Sequence, residues 1–179
     1  ADEARLGEVL VSSGRDSAAP VNLPASQAGM SAAQLAAAVN VINTEDVVKY
    51  LPSVQVRKRY IGDRNSIIAT RTSGQTSSAR SLVYADGVLL SNLLGNRYDF
   101  PPRWNMVSAD EISRVDMMYG PFAAEFPGNS VGSVVLLNTR APDKFEAHVK
   151  AQAFREDFSL YGTQQHYDGN KLEASLGGR

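Results

Sequence analysis

The chain has 179 residues, of which 43% are hydrophobic and 21% charged, and its formal net charge is −1. This size allows one domain, or one domain with an appendage, that buries a hydrophobic core. The near-neutral charge gives no general attraction for nucleic acid or an acidic membrane, and the absence of cysteine excludes disulfides and thiolate metal sites. No apolar run approaches the roughly 18 residues that a membrane-spanning helix needs.

Residues 1–20 are small and polar except for one apolar island, Val9, Leu10 and Val11. Composition alone leaves two interpretations open with equal weight. One is a frayed terminus. The other is an extended peptide that adds as a strand to the edge of a partner's sheet, because β-branched residues in a flexible arm suit that mode of binding.

Short helices are predicted early in the chain. Pro20, Pro24 and Gly29 predict irregular chain over residues 21–30. A helix is predicted to follow Ser31, and a second one over residues 43–51, with Asn43 or Thr44 as its cap and Pro52 as its terminator.

The middle of the chain is dominated by predicted strands. They cover residues 53–57, 67–71, 82–84, 88–90, 113–119 and 131–138. Asp86-Gly87 between two of them is a strong hairpin signal. Ser108 and Glu111 have capping-box spacing, and Pro121 starts a predicted turn at residues 122–126. We therefore predict a small α+β domain, with short helices around a mixed sheet.

After Pro142 the pattern changes to strict alternation. Every odd residue from Phe145 to Ala153 is apolar, and residues 171–176 repeat the pattern after Asp168-Gly169. On pattern alone, a soluble sheet with one wet face is the favoured interpretation. The alternative is a transmembrane barrel with apolar residues toward lipid. Two strands cannot close a barrel, so that alternative implies a fragment.

The ordered set of short motifs in residues 40–140 resembles the plug of TonB-dependent outer-membrane transporters. The set comprises Tyr50-Leu51-Pro52-Ser53-Val54-Gln55-Val56, Ile68-Ala69-Thr70-Arg71, Tyr84-Ala85-Asp86-Gly87-Val88, Glu111-Ile112-Ser113-Arg114-Val115-Asp116, Gly120-Pro121, and Val131-Gly132-Ser133-Val134-Val135 with Asn138-Thr139. Each motif is weak, but they occur in the family's order and at its spacing. The sequence departs from the family at Tyr119, where an arginine is expected before Gly-Pro, and at Phe126-Pro127-Gly128, where Tyr-Gly is expected.

The resemblance implies an organisation and a set of partners. Residues 1–20 become a flexible segment with a TonB-box-like stretch, residues 21–142 the plug, and residues 143–179 the first hairpin of a 22-stranded β-barrel whose remainder is absent. The residues implied to bind the periplasmic domain of TonB are Glu8, Val9, Leu10, Val11 and Ser12. The implied function is active import of a solute across the outer membrane of a Gram-negative bacterium, with the plug gating its own barrel.

In the family, the extracellular plug loops contact the solute, and by position these are residues 57–65, 73–78 and 95–100. The implied solute-binding residues are Arg57, Arg59, Tyr60, Arg64, Gly74, Gln75, Arg97, Tyr98 and Phe100. Arginines beside aromatic rings suit an anionic, unsaturated ligand such as a ferric siderophore or a similar metal chelate. The alternative is that these arginines are only solvated or pair with barrel carboxylates. Arg71, Arg114 and Asp116 are interpreted as structural ion-pair residues.

Other classes of function have weaker support. His148 and His166 are far in sequence from any carboxylate pair or nucleophile, and no P-loop, GxSxG or HExxH pattern is present. We therefore expect no catalytic residue, metal site or cofactor. One basic tetrapeptide, residues 57–60, is a poor footprint for nucleic acid. The main alternative is a free-standing periplasmic plug-like module that binds a partner and transports nothing.

Overall fold

The computed structural model describes residues 26–70, 73–74, 76–120 and 126–178. In chain order the strands are β1 (Ser26–Ser31), β2 (Val54–Arg57), β3 (Ile67–Thr70), β4 (Ser81–Ala85), β5 (Val88–Leu89), β6 (Ile112–Tyr119), β7 (Ser133–Thr139), β8 (Glu146–Leu160) and β9 (Thr163–Gly177); helix α1 (Ala32–Ala38) follows β1. Short 3₁₀ helices cover Thr44–Val48, Ser78–Arg80, Trp104–Met106, Ala109–Glu111 and Gly128–Ser130. The TonB-box-like residues and most of the turn predicted at residues 122–126 lie outside the described residues.

A five-stranded sheet forms the centre of the domain, with strand order β1-β6-β7-β4-β5. The β4–β7 pair is parallel and the other neighbours are antiparallel, which confirms the predicted mixed sheet. The hairpin predicted at Asp86-Gly87 joins β4 to β5, and both residues adopt positive φ angles, +46° and +80°. Those angles match the turn type that fits the twist of a tight hairpin.

The central sheet is covered on both faces. Val83, Val115, Met117, Val135 and Leu137 belong to the main hydrophobic core on one face and are almost inaccessible to solvent. The opposite face carries a smaller cluster: Leu82, Met118 and Val134, with Tyr84, Phe126 and Leu136 packed against it. The apolar run Val134 to Leu137 of β7 fits this burial, because a strand covered on both sides has no wet face.

Strand β1 corrects the sequence prediction of irregular chain over residues 21–30. It pairs antiparallel with β6, from Ser26 opposite Tyr119 to Ser31 opposite Arg114. Gly29 permits this pairing, because a Cβ atom there would lie 2.3 Å from Asp116 Oδ1. The strand forms because β6 offers an edge of unpaired backbone groups, although the local sequence has little strand propensity.

The helix predicted after Ser31 is confirmed as α1. Ser31 is its N-cap and forms a capping box with Gln34, and Leu35 is the residue that α1 buries. The second predicted helix, over residues 43–51, is present in a shorter form, as a 3₁₀ helix over Thr44–Val48 with Asn43 as its N-cap. All five of its residues are buried, whereas an amphipathic α-helix would leave one face in water.

Strands β8 and β9 form a long, separate antiparallel hairpin. Each has 15 residues, and the register runs from Glu146 opposite Gly177 to Leu160 opposite Thr163. The turn uses Tyr161 and Gly162 with φ angles of +52° and +78°. None of the helices within the described residues has the length and hydropathy needed to span a membrane.

Candidate functional site

The loop between β2 and β3, residues 57–65, is closed around a buried carboxylate; it is called the arginine loop below. Asp63 accepts hydrogen bonds from Arg59 Nε at 2.9 Å and Arg59 Nη2 at 3.1 Å. It also accepts from the backbone N–H groups of Arg59 at 3.1 Å and Asn65 at 2.9 Å. The hydrogen bond from the Arg59 side chain is the main reason that the pKa of Asp63 falls to about 2, and the same bond raises the pKa of Arg59.

A second cation of the arginine loop is also paired. Lys58 Nζ lies 2.7 Å from Asp46 Oδ1 and 3.4 Å from Glu45 Oε1, and both carboxylates are buried. Glu45 Oε1 accepts further hydrogen bonds from Asn43 Nδ2 at 3.2 Å and Ser66 Oγ at 2.9 Å. The base of the loop is therefore a connected polar cluster, since each of these carboxylates has several donors.

The third predicted loop, residues 95–100, is fixed by contacts with the 3₁₀ helix Ser78–Arg80. Ser78 Oγ donates to the carbonyl oxygen of Arg97 at 2.8 Å, and the Asn96 side chain accepts from Ala79 N at 3.0 Å. The Phe100 ring lies over Gly95, where a Cβ atom would come within 2.2 Å of the ring. The loop is thus held in position by its backbone and by this ring contact, which leaves Tyr98 exposed.

The two loops meet at a cleft of about 430 Å³, called the loop cleft below. Its lining consists of Arg57, Arg59, Asn65, Ile67, Thr76, Tyr98 and Asp99. Three of the predicted solute-binding residues, Arg57, Arg59 and Tyr98, therefore come together here. Asn65, Thr76 and Asp99 lie within the predicted loops but were not singled out, because sequence gives no signal for which side chains of a loop share one cavity.

The other predicted solute-binding residues are dispersed. Tyr60 stacks beside Arg59, whose Cζ atom is 5.8 Å from the ring centroid, and it lines a neighbouring cleft of about 600 Å³ against β8 and β9. Arg64 lines a different cavity of about 330 Å³, with Glu45 and Glu173. Gly74 and Arg97 are exposed, Phe100 is half-buried, and Gln75 lies outside the described residues.

Arg114 and Asp116 form an ion pair with one another, and the Arg114 Nε atom lies 2.8 Å from Asp116 Oδ1. Both residues lie on β6, and their side chains cover Gly29 of β1. Arg71 lies outside the described residues, so its predicted role as an ion-pair residue stays a prediction.

Polar side chains of the β8–β9 hairpin hold the chain that follows α1. Lys150 Nζ and Gln152 Nε2 donate to the carbonyl oxygen of Val41 at 3.3 Å and 2.9 Å, and Lys171 Nζ donates to that of Ile42 at 2.6 Å. Lys150 also pairs with Asp110 at 3.2 Å. Sequence reasoning missed these contacts, because an alternating strand does not reveal what its polar face touches.

Within the described parts of the chain, no group of three or more histidine, aspartate or glutamate side chains is arranged to hold a metal ion.

Comparison with known proteins gives consistent results. The chain is 26% identical over 110 residues to the vitamin B12 transporter BtuB of Vibrio vulnificus, covering 62% of this chain and 17% of that protein. Its fold is similar to a ferric enterobactin receptor from Pseudomonas aeruginosa, solved with enterobactin (TM-score 0.56, 20% identity, 85% of this chain and 22% of that one). It is also similar to the siderophore receptor PirA of Acinetobacter baumannii (TM-score 0.55, 17% identity, 82% and 22%).

A third structure with this fold is the unliganded ferric citrate transporter FecA (TM-score 0.60, 18% identity, 82% of this chain and 22% of that one). The chain thus spans about a fifth of the length of the proteins it matches. Residues 19–134 match the TonB-dependent Receptor Plug Domain family. The mixed sheet, the motifs and this match together establish that the chain belongs to the TonB-dependent receptor plug domain family.

Proposed function

We propose that this chain is the plug and first barrel hairpin of a TonB-dependent importer in the outer membrane of a Gram-negative bacterium. Its solute is a ferric siderophore or a similar metal chelate, bound at the loop cleft. The names of its relatives, which include a vitamin B12 transporter, a ferric enterobactin receptor and a ferric citrate transporter, support import as the function.

The observation that carries the proposal is the orientation of the β8–β9 hairpin. Its polar side chains, among them Lys150, Gln152 and Lys171, contact the plug. The apolar side chains of residues 147–153 and 172–176 point the other way and are exposed, with Val149 at 76% and Leu172 at 75%, whereas Phe154 lies on the plug side, against Gly62. A soluble hairpin packed on a domain would bury its apolar face. The observed orientation suits a barrel wall, which turns apolar residues to lipid and polar residues inward.

The length of the apolar face also fits a membrane. It covers residues 145–153, from the residue before β8 into that strand, a distance of roughly 30 Å at about 3.4 Å per residue. A strand tilt of about 40° reduces this to a height of roughly 23 Å, close to the apolar band of about 25 Å in outer-membrane barrels. Beyond the band, the outward residues are charged and paired, as Arg155 is with Asp168 at 2.7 Å.

The proposal assigns residues 8–12 to TonB. A strand added to the edge of a TonB sheet forms a ladder of backbone hydrogen bonds, which can transmit force to the plug. Proline cannot donate to such a ladder. The test is a calorimetric titration of the chain with the TonB periplasmic domain, for the wild type and for Val9→Pro combined with Val11→Pro.

The matched control carries the same two changes outside the box, Ser17→Pro with Ala19→Pro. We expect binding by the wild type and the control, and at least a tenfold loss in the Val9/Val11 variant. Binding that survives both pairs of prolines, or fails in the wild type, contradicts the proposal. Solute uptake by cells with the complete gene, with and without residues 9–12, then tests import itself.

A further inference from the structure

We infer that the loop cleft selects a solute of low net charge that presents hydrogen-bond-accepting oxygens, because buried Asp63 compensates the charge of Arg59. The inference rests on the proposed function, since it names the chemical class of solute that binds at the same site. It differs from the expectation of an anionic ligand, which counted the arginines of the loop without knowing their partners.

The charges of the loop cleft balance. Its lining contains two cations, Arg57 and Arg59, and one carboxylate, Asp99. Asp63 lies directly behind Arg59 and is bound to two of its guanidinium nitrogens. Among the described residues, these two cations and two carboxylates cancel. A cation that is already paired with a carboxylate attracts an anionic ligand less strongly than an unpaired one, because the two charges of the pair oppose each other.

Lys58 adds no free charge to the cleft. Its ammonium group is held by Asp46 and Glu45 at the base of the arginine loop. The sequence run Arg57-Lys58-Arg59 therefore overstates the positive potential of this surface, because two of its three cations are committed to buried carboxylates.

Arg59 nevertheless keeps hydrogen-bonding capacity for a ligand. Its Nε and Nη2 atoms are used by Asp63, whereas Nη1 makes no hydrogen bond to a described residue. The side chain is 61% exposed. Asp63 thus acts as a positioning residue that fixes the guanidinium by one edge and leaves the other edge as a donor.

The remaining groups of the cleft are neutral. Asn65 and Thr76 supply an amide and a hydroxyl, Tyr98 supplies a phenol, and Ile67 supplies apolar surface. Such a lining can accept a compact ligand through several neutral hydrogen bonds and ring contacts. It matches a chelate whose ligand oxygens already cancel the charge of the metal ion.

The experiment compares two probes on the complete receptor purified from its full gene. One probe is an uncharged ferric trihydroxamate and the other a ferric tricatecholate with three negative charges. Affinities are measured by quenching of intrinsic fluorescence at low and at physiological ionic strength. We expect the wild type to bind the uncharged probe at least tenfold more tightly.

Charge variants test the cause of that preference. Asp99→Asn removes an exposed carboxylate from the cleft, and we expect it to shift the ratio of the two affinities at least threefold toward the triply negative probe. The control Asp143→Asn makes the same charge change at an exposed residue outside the cleft and should leave the ratio unchanged. Asp63→Asn should shift the ratio further, and adding Arg59→Gln to it should restore the wild-type ratio.

Three results of the probe titrations would contradict the inference. Tighter binding of the triply negative probe by the wild type overturns the inference, as does an Asp99→Asn ratio equal to that of Asp143→Asn. Binding of neither probe overturns it as well. The titration with TonB involves residues 8–12 and not the cleft, so it reveals separately whether the proposed importer fails.

Discussion

The central sheet and the β8–β9 hairpin are built from similar apolar residues but use them in opposite ways. In the sheet, Val115 and Leu137 are covered by other parts of the plug and are almost inaccessible to solvent. In the hairpin, Val149 and Leu172 are three-quarters exposed, and the face that contacts the rest of the chain is mainly polar, with Phe154 as an apolar member. The sheet is stabilised by its own hydrophobic core. The hairpin has the plug on one side, and its other side is an exposed apolar face.

The two regions differ in where their apolar side chains are removed from water. Burial of apolar surface away from water contributes about 25 cal/mol per Å², and the sheet obtains that stabilisation within the chain. The outer face of the hairpin obtains little of it from the described residues and needs an apolar surrounding. Four predictions follow from the comparison, in order of decreasing effect.

Matched leucine truncations test the comparison most strongly. Leu137→Ala should lower the free energy of unfolding by about 2–5 kcal/mol, because it leaves a cavity in the sheet core. Leu172→Ala removes the same atoms from an exposed position and should cost less than about 0.5 kcal/mol in water. Urea unfolding of the 179-residue chain measures both. Equal losses would abolish the distinction between the two regions.

A lysine on the outer face of the hairpin tests for lipid. Val149→Lys should destabilise the complete receptor in phospholipid vesicles by about 2–4 kcal/mol, because the ammonium group would lie within the apolar band. Ser159→Lys, on the same face beyond the band, should cost about 0–1 kcal/mol. Reversible folding into vesicles gives both values. A neutral effect at residue 149 would place that face in water.

The arginine loop should give the plug a specific acid sensitivity. The pKa of Asp63 is about 2 in the folded chain against an ordinary 3.8, so its ionised form stabilises the fold above about pH 4. That contribution, about 2 kcal/mol, is lost as the pH falls from about 4 through 2, because the folded state then has to take up the proton.

Urea unfolding at several pH values between 5 and 2 tests this sensitivity. Asp63→Asn should remove this part of the pH dependence, whereas Asp99→Asn, at an exposed carboxylate, should keep it. An Asp63→Asn chain with the wild-type acid profile would contradict the assigned cause.

The smallest effect concerns the contact between the two regions. Lys171→Met removes the donor to the carbonyl oxygen of Ile42 and should cost about 1 kcal/mol, the typical net value of a hydrogen bond. Lys144→Met changes an exposed lysine outside the contact between the hairpin and the plug, and it serves as the control. Chemical denaturation of the 179-residue chain compares them, and equal stabilities would mean that the hairpin adds nothing to the plug through this bond.

Several elements were predictable from the sequence because their signals are local. The Asp86-Gly87 turn, the Ser31 cap and the apolar run of residues 134–137 each depend on residues within a few positions of one another. The alternation after Phe145 likewise predicted strands. It did not identify the end of β8, because the turn uses Tyr161-Gly162 while Asp168-Gly169 lies inside β9.

Features that depend on partners distant in the sequence became evident only from the tertiary structure. Strand β1 forms because β6 offers an open edge, and the base of the arginine loop is held because Lys58 meets Glu45 and Asp46 of an earlier 3₁₀ helix. Packing also determined which of the predicted arginines share a cleft. It determined as well which face of β8 meets the plug. Spacing along the chain fixes the side of a strand on which a residue lies, but only packing determines whether that side meets protein, water or lipid.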